Sequence, residues 1–480
     1  MNEFVSIQLE RNSKEPLYLQ LSNSIYSLIE QNKLRSNAKL PAIRKLAELL
    51  KVNNSTVVNA YKHLENKNIL YSQKGSGTYI SPIPLEKLST NIPQINQTTK
   101  HHVEITKDTL NLATISISPE LFPVQDFKRL LNTVLDKDGG NAFNYQDSQG
   151  YLPLRESICD YLGYHNVRTT PDKIQIISGA QQGIDILSKG LLHYGDVLFV
   201  EKPTYRGAIA NFQSRGAKII EIPLEEDGID LDVLENNMKL FHPKFIYIMS
   251  YYQNPTGISY SLEKKHALIK LANKYDTYII EDDYLGGLNY SNEPYIPLKA
   301  FDYKNRVIYI KTFSKILMPG LRFGFIVLPQ KILQSVLAAK HTTDIATSGL
   351  IQRTFDLYLR SNLWKKHIKE MCNYYQKRYE LLVLELSTLS DHLSFVLPHG
   401  GLSIWVKFKN VNVEDLTAKL LSKNVLVSPA SAFSLDPEIY PYIRLSFADV
   451  ELERIPEAIS IIKEIVQSQN NKAISIEPLL

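Results

Sequence analysis

Only two cysteines, Cys159 and Cys372, occur in 480 residues. They lie far apart and outside any Cys-x-x-Cys or Cys/His cluster, which argues against a disulfide scaffold and a zinc site and fits a reducing cytoplasm. Nowhere do eighteen apolar residues run unbroken, so no membrane-spanning helix and no membrane partner are expected. The opening MNEFVSIQLERNSKEP lacks a basic start followed by an apolar stretch, and a secretory leader is not expected. No internal repeat is visible, and no residue cluster predicts a metal site.

What is present is a long chain, 44% apolar and 22% charged. That length exceeds one ordinary core and that composition is globular, so two or more folded units are expected. The net charge of +4 is unevenly spread. Residues 1–80 hold eleven Lys/Arg against six Asp/Glu, a surplus of +5, which leaves −1 for the rest. A small nucleic-acid-binding unit attached to a neutral domain would show this asymmetry.

From Pro16, the apolar positions Leu17, Leu21, Ile25 and Leu28 recur at helical spacing. Ile43, Leu46, Ala47 and Leu50 do so again after Pro41. Val52 to Asn54 read as a turn, Ser55 as the N-cap of a third helix, and Val57, Ala60, Tyr61 and Leu64 as its buried stripe. Ile69-Leu70-Tyr71 and Thr78-Tyr79-Ile80 flank the glycine-rich Lys74-Gly75-Ser76-Gly77 as two short strands. Three helices and a hairpin over 1–80 make a winged helix-turn-helix.

The candidate DNA contacts are Arg44, Asn54, Ser55, Thr56, Asn59, Lys62, Lys74 and Gly77. Short polar side chains near the start of a recognition helix reach base edges, while Lys and Arg meet phosphates. A solvated helix face would explain the third helix taken alone. The helix order, Leu40-Pro41-x-x-Arg44 and the Lys74–Thr78 wing favour DNA, and this segment resembles the DNA-binding domain of GntR-family regulators. Ala42 and Asn54 depart from the Ser and Arg common there, which bears on the operator sequence more than on DNA binding.

Residues 81–108, with Pro82, Pro84 and Pro93 among polar residues, read as a flexible linker. Over 109–466, strand-like runs (174–178, 197–200, 245–249, 278–280 and 307–310) alternate with helical patterns, which predicts an α/β domain with a mostly parallel central sheet. Residues 467–480 read as a polar tail.

Four motifs in that domain carry chemistry. Ser178-Gly179-Ala180-Gln181-Gln182-Gly183 follows a strand and opens a helix, where free backbone N–H groups make an anion site. Asn254-Pro255-Thr256-Gly257 offers an amide donor on a turn. Glu281-Asp282-Asp283-Tyr284 ends a strand with carboxylates, a pattern that also serves as a helix cap or a metal ligand pair. Lys315, in Ile310-Lys311-Thr312-Phe313-Ser314-Lys315, stands seven residues before Arg322. A pyridoxal cofactor needs an imine-forming lysine, a carboxylate at the ring nitrogen, donors to the ring oxygen and an anion cradle. All four occur, at strand ends where open α/β sheets place ligands.

The stretch from about 110 to 466 resembles fold-type I aminotransferases, and the fused chain resembles the MocR/GabR branch of the GntR family. That resemblance implies pyridoxal 5'-phosphate as the cofactor, Lys315 as its Schiff-base residue, Asp282 at the pyridine nitrogen, and Asn254 and Tyr284 at the phenolic oxygen. It implies that Ala180, Gln181, Ser314 and Arg322 hold the phosphate, that Tyr205 stacks on the ring, and that Tyr145 reaches in from a partner subunit. Arg444, in Tyr442-Ile443-Arg444-Leu445-Ser446, matches the arginine that grips an amino acid carboxylate; Arg206 is a second candidate. The implied protein is a cytoplasmic homodimer, with domain-swapped packing open, that binds double-stranded operator DNA and an amino acid or amine effector. Asn254 is an enzyme-like departure from the aromatic residue of many MocR-like proteins. Two alternatives therefore stand beside the regulator: a working aminotransferase with an accessory DNA-binding domain, and a sensor of pyridoxal phosphate controlling vitamin B6 synthesis.

Overall fold

A computed structural model describes residues 4, 7, 9–11, 16–30, 34, 38–67, 69–73, 76–81, 106, 108–291, 294–435 and 441–474. The chain divides into two compact units, Met1–Asn91 and Ile92–Leu480.

In the first unit, α1 (Leu17–Glu30), α2 (Ile43–Leu50) and α3 (Asn54–Asn66) precede the hairpin of β1 (Leu70–Gln73) and β2 (Gly77–Ile80). The helical stripes converge: Leu21, Ile25, Leu46, Val57 and Ala60 are fully enclosed in one core. Lys51 takes a left-handed conformation that ends α2, with its N–H returning to Ala47 and Glu48 carbonyls. The chain then re-enters a helix two residues earlier than expected. Asn53 is the N-cap, extended at φ −69° and ψ 148°, and Thr56 N–H donates to Asn53 O at 3.0 Å. Ser55 thus lies in the first turn of α3 and not at its cap, because the main chain closes that turn without a side-chain cap. The segment 38–40 runs beside β2, with Leu40 N–H on Thr78 O and Ile80 N–H on Ala38 O. Lys74 and Gly75 lie outside the described residues.

In the second unit, β3 (Leu110–Asn111) pairs in parallel with β14 (Val425–Leu426). The main sheet contains β4 (Ile174–Ile177), β5 (Val197–Lys202), β6 (Lys218–Glu225), β7 (Gly228–Ile229), β8 (Phe245–Ile248), β9 (Tyr278–Asp283), β10 (Val307–Thr312) and β11 (Gly324–Val327). Its order is β4-β11-β10-β9-β8-β5-β6-β7. The four central pairings, β6-β5, β5-β8, β8-β9 and β9-β10, are parallel; β11 and β7 run against their neighbours. The edge strand β4 and the central strands β8 and β10 are buried along their whole length, as a sheet covered on both faces requires. A second sheet, in the order β12-β13-β16-β15, is antiparallel. It comprises β12 (Leu393–Phe395), β13 (Ser403–Phe408), β15 (Ser428–Pro429) and β16 (Tyr442–Ser446).

Three boundaries differ from expectation. Strand β9 runs on through Glu281, Asp282 and Asp283, so these carboxylates lie within the sheet. The final helix, Ile455–Ile474, enters the stretch expected as a tail. Among the described side chains its buried stripe ends at Val466, where the sequence signal stops too, but no Pro or Gly occurs over 467–474 to break the helix. The expected linker falls mostly outside the described residues, although Ser81 still bonds Ile69 O as part of the wing. Among the described residues, no helix is long and apolar enough to cross a membrane.

Candidate functional site

The parallel strands deliver their C-terminal ends to one place. Beyond β4, Gly179 caps the helix Ala180–Leu191 at φ +94°. A Cβ there would lie 2.7 Å from Arg322 Nη2, so glycine suits both the backbone and the space. Arg322 donates to Ser178 O at 2.9 Å through Nη2 and to Ser314 Oγ at 3.4 Å through Nη1. Ser314 is fixed by Thr312 Oγ1. Three separate segments thereby surround a helix start with free N–H groups, a guanidinium and a hydroxyl, the donors an anion needs.

Asp282 lies deeper. Tyr247 on β8 donates to its Oδ2 at 2.6 Å, while Oδ1 is buried without a hydrogen-bond partner. Burial pushes this carboxyl up to about 6, opposed by the Tyr247 bond and by Lys311. Its neighbours are committed elsewhere. Glu281 accepts from Ser250 and from the Leu298 and Lys299 N–H groups. Asp283 pairs with Lys311 at 3.0 Å and accepts from Tyr295 and Tyr309. The acidic run is therefore neither a helix cap nor a metal ligand pair, and no metal-binding cluster occurs among the described residues.

Lys315 follows β10, and its Nζ donates to Ile115 O at 2.6 Å. Burial, then Arg444, then Arg322, lower its affinity for a proton. Arg444 reaches the same region from β16 of the smaller sheet. Its Nη1 donates to Asn254 Oδ1 at 2.7 Å, and its Nη2 to Ala113 O and Ser428 Oγ. Its Nε is buried and unpartnered, and burial lowers its pKa to about 10. With Oδ1 occupied, the amide nitrogen of Asn254 is the end left to donate. Tyr284 donates its hydroxyl hydrogen to Tyr252 O at 2.6 Å, so toward any further group it presents a lone pair.

Tyr205 stands at the N-cap of the helix Arg206–Ser214, and its hydroxyl donates to Gln181 Oε1 at 3.1 Å. The ring lies over Gly207, where a Cβ would come within 2.3 Å of it. Arg206 opens that helix, and among the described residues no hydrogen bond or ion pair ties it to the Lys315 group. Tyr145 is 85% exposed and, within one chain, stands apart from that group. Sequence reading missed Tyr247, which looks like a core residue in Phe245-Ile246-Tyr247-Ile248. It missed Ser428 and the carbonyls of Ala113 and Ile115 as well; backbone acceptors leave no sequence signal.

On the first unit, Arg44, Asn54, Ser55, Asn59 and Lys62 are exposed along one side of α2 and α3; Thr56 is half-buried, and Gly77 is exposed on the wing. Val57, Ala60, Tyr61 and Leu64 face the core. Tyr61 ties α3 to the start of α2 through a 2.9 Å bond to Pro41 O.

Pyridoxal phosphate fits the residues present in the second unit. The bare Oδ1 of Asp282 is an acceptor for a ring N–H, the Gly179 cradle suits a phosphate, and Lys315 supplies an amine between them. The family profile described as aminotransferase class I and II matches residues 118–462. The profile described as bacterial regulatory proteins, gntR family, matches residues 17–80. The HTH-type transcriptional regulator YisV of Bacillus subtilis is 30% identical over 93% of this chain and 95% of its own length. The probable rhizopine catabolism regulatory protein MocR of Rhizobium meliloti is 26% identical over 88% of each chain. The crystal structure of Pyrococcus horikoshii kynurenine aminotransferase, solved with PMP, superposes with a TM-score of 0.72 at 30% identity, over 76% of this chain and 92% of that one.

Proposed function

Because the chain belongs to the class I and II aminotransferases and, within the GntR regulators, to the MocR/GabR branch, we propose that it is a transcriptional regulator whose DNA binding responds to its cofactor domain. The observation that supports this reading is the coexistence of an exposed polar face on α3 with the bare Asp282 oxygen, the Gly179–Arg322 cradle and Lys315 at the strand ends. Pyridoxal phosphate, when bound, supplies an electrophilic carbonyl carbon and an electron-withdrawing ring.

The protein's own groups do the rest. Ala180, Gln181, Ser314 and Arg322 would hold the phosphate, and Asp282 would accept a hydrogen bond from the protonated ring nitrogen. Asn254 would donate to the phenolic oxygen, with Tyr284 a second neighbour of it, and Tyr205 would stack on the ring. Lys315, its ammonium disfavoured by burial and two arginines, provides an amine that loses its proton readily. Arg444 would grip the carboxylate of an amino acid effector, with Arg206 as a second candidate. The protein acts in the cytoplasm as a homodimer, Tyr145 entering the partner's site and the DNA-binding units free to pack on the opposite protomer. An effector acts as a switch only to the extent that it binds the two arrangements unequally.

The test is an absorbance titration of purified protein with a panel of amino acids and amines, with and without a keto acid, run beside operator binding. A spectral shift for one compound that alters operator affinity, without sustained turnover, supports the regulator. Continued conversion to keto product would make the chain an enzyme first, a reading favoured by one observation, the enzyme-like Asn254 bonded to Arg444.

A further inference from the structure

We infer that Tyr247 is a positioning residue for the cofactor, holding Asp282 so that a single carboxylate oxygen, Oδ1, faces the protonated ring nitrogen. The inference rests on the cofactor reading above. Strand β8 is Phe245-Ile246-Tyr247-Ile248, buried throughout, and Tyr247 carries its only polar side chain. Tyr247 pairs across the sheet with Ile280; Asp282, two residues farther along β9, projects from the same face. Their bond of 2.6 Å occupies Oδ2.

A phenol has one hydrogen to give, so it can satisfy one carboxylate oxygen and not both. Oδ1 is left buried without a partner, a costly state unless a ligand donor completes it. Phe212, from the helix beneath, meets the Tyr247 ring edge-on at 5.8 Å and 70°, so the phenol cannot follow the carboxylate if that rotates. The pair works as a fixed bracket: the hydroxyl sets the carboxylate torsion, and the torsion aims the free oxygen.

The test uses the full-length protein and compares wild type, Tyr247→Phe, Asp282→Asn and the double variant. Pyridoxal phosphate affinity, the pH titration of the bound cofactor's visible band and the thermal midpoint are read for each. Tyr247→Phe is expected to weaken cofactor binding about tenfold, the equivalent of about 1.4 kcal/mol, and to displace the pH titration. In the Asp282→Asn background the same change should do neither, since the carboxylate it aims is gone. A purely structural Tyr247 would lower the thermal midpoint alike in both backgrounds and leave affinity and pH profile in place, which overturns the inference. If Tyr247→Phe does not fold, fluorotyrosine at position 247 keeps the shape and donates a stronger bond; an undisplaced pH titration then overturns it. Wild type that binds no pyridoxal phosphate overturns the cofactor reading itself, whereas wild-type binding with an indistinguishable Tyr247→Phe overturns this inference alone.

Discussion

Arg444 and Asn254, 190 residues apart in sequence, meet through a 2.7 Å hydrogen bond from Nη1 to Oδ1. The bond joins the smaller sheet to a loop beyond β8 of the larger one, and by occupying Oδ1 it fixes the orientation of the Asn254 amide and leaves its NH2 free to donate. It also holds a buried guanidinium among neutral acceptors, with Nε bare and the Phe433 ring 4.8 Å from its centre. Such an arginine is poised for a carboxylate, which would supply the missing charge.

Arg444→Lys should keep bound cofactor and lose response to amino acid effectors, because an ammonium cannot form the two parallel bonds of a guanidinium. Effector affinity is expected to fall by about ten- to a hundredfold, the worth of a charge-assisted bond of about 1.5–3 kcal/mol. Calorimetric titration of both proteins with the responsive compound checks it; equal affinities would remove Arg444 from the ligand set.

Lys315→Ala should abolish the visible absorbance at roughly 420 nm that a lysine-bound pyridoxal gives. Cofactor should then wash out on dialysis, because only non-covalent contacts remain to hold it. A retained band would place the attachment on another lysine.

Gly179→Ala places a methyl in the left-handed region and 2.7 Å from Arg322 Nη2. The backbone strain costs roughly 1–2 kcal/mol, and the guanidinium must withdraw from Ser178 O. Phosphate affinity should fall about tenfold while the far-ultraviolet spectrum stays unchanged. Direct titration with pyridoxal phosphate measures it.

Stability of the cofactor-free protein should fall as pH rises from about 6.5 to 8. Burial raises Glu201 from an ordinary 4.5 to about 8 and Glu281 to about 7. The folded chain therefore keeps protons that the unfolded chain has already released, and raising the pH favours unfolding across that window. The two glutamates act in that direction from about 4.5 upward, and below about 6.5 His165, depressed by burial to about 4, opposes them. Its folded form refuses a proton that the unfolded chain accepts below 6.5, so it adds stability as pH rises. Glu201→Gln mimics the protonated carboxyl and should flatten the upper slope of thermal midpoint against pH; an unchanged slope would assign the loss elsewhere.

On the DNA side, Lys62→Ala should weaken binding to all sequences alike and reduce the salt dependence by about one unit of slope. Asn59→Ala should instead relax discrimination at one base pair by roughly 1–3 kcal/mol. Fluorescence anisotropy against matched and mutated operators at several salt concentrations separates the two.

Much of this protein was legible before any coordinates. The stripe Val57, Ala60, Tyr61, Leu64 fixes which face of α3 is buried, because a helix repeats every 3.6 residues whatever surrounds it. Hydrophobic runs mark β4, β5, β8, β9 and β10 but not β6 or β11, and local motifs mark Gly179, Asn254, Asp282 and Lys315. Local propensity misplaced the start of α3, since the cap was decided by the left-handed Lys51 and the main-chain turn after it. It ended β9 too soon, because it cannot foresee that Glu281 and Asp283 would be enclosed by the Leu298 and Lys299 amides and by Lys311.

Which residues are candidates for cofactor chemistry and for a recognition helix is legible in the sequence itself, through residue type, spacing along the chain and the family resemblance these carry. Which atoms remain free to act was decided by tertiary structure. The bare oxygen of Asp282, the donating end of Asn254 and the neighbours of Lys315 depend on bonds between segments 35 to 200 residues apart. Hydrogen bonds at that separation are fixed by strand order and packing, and nothing in the local sequence encodes them.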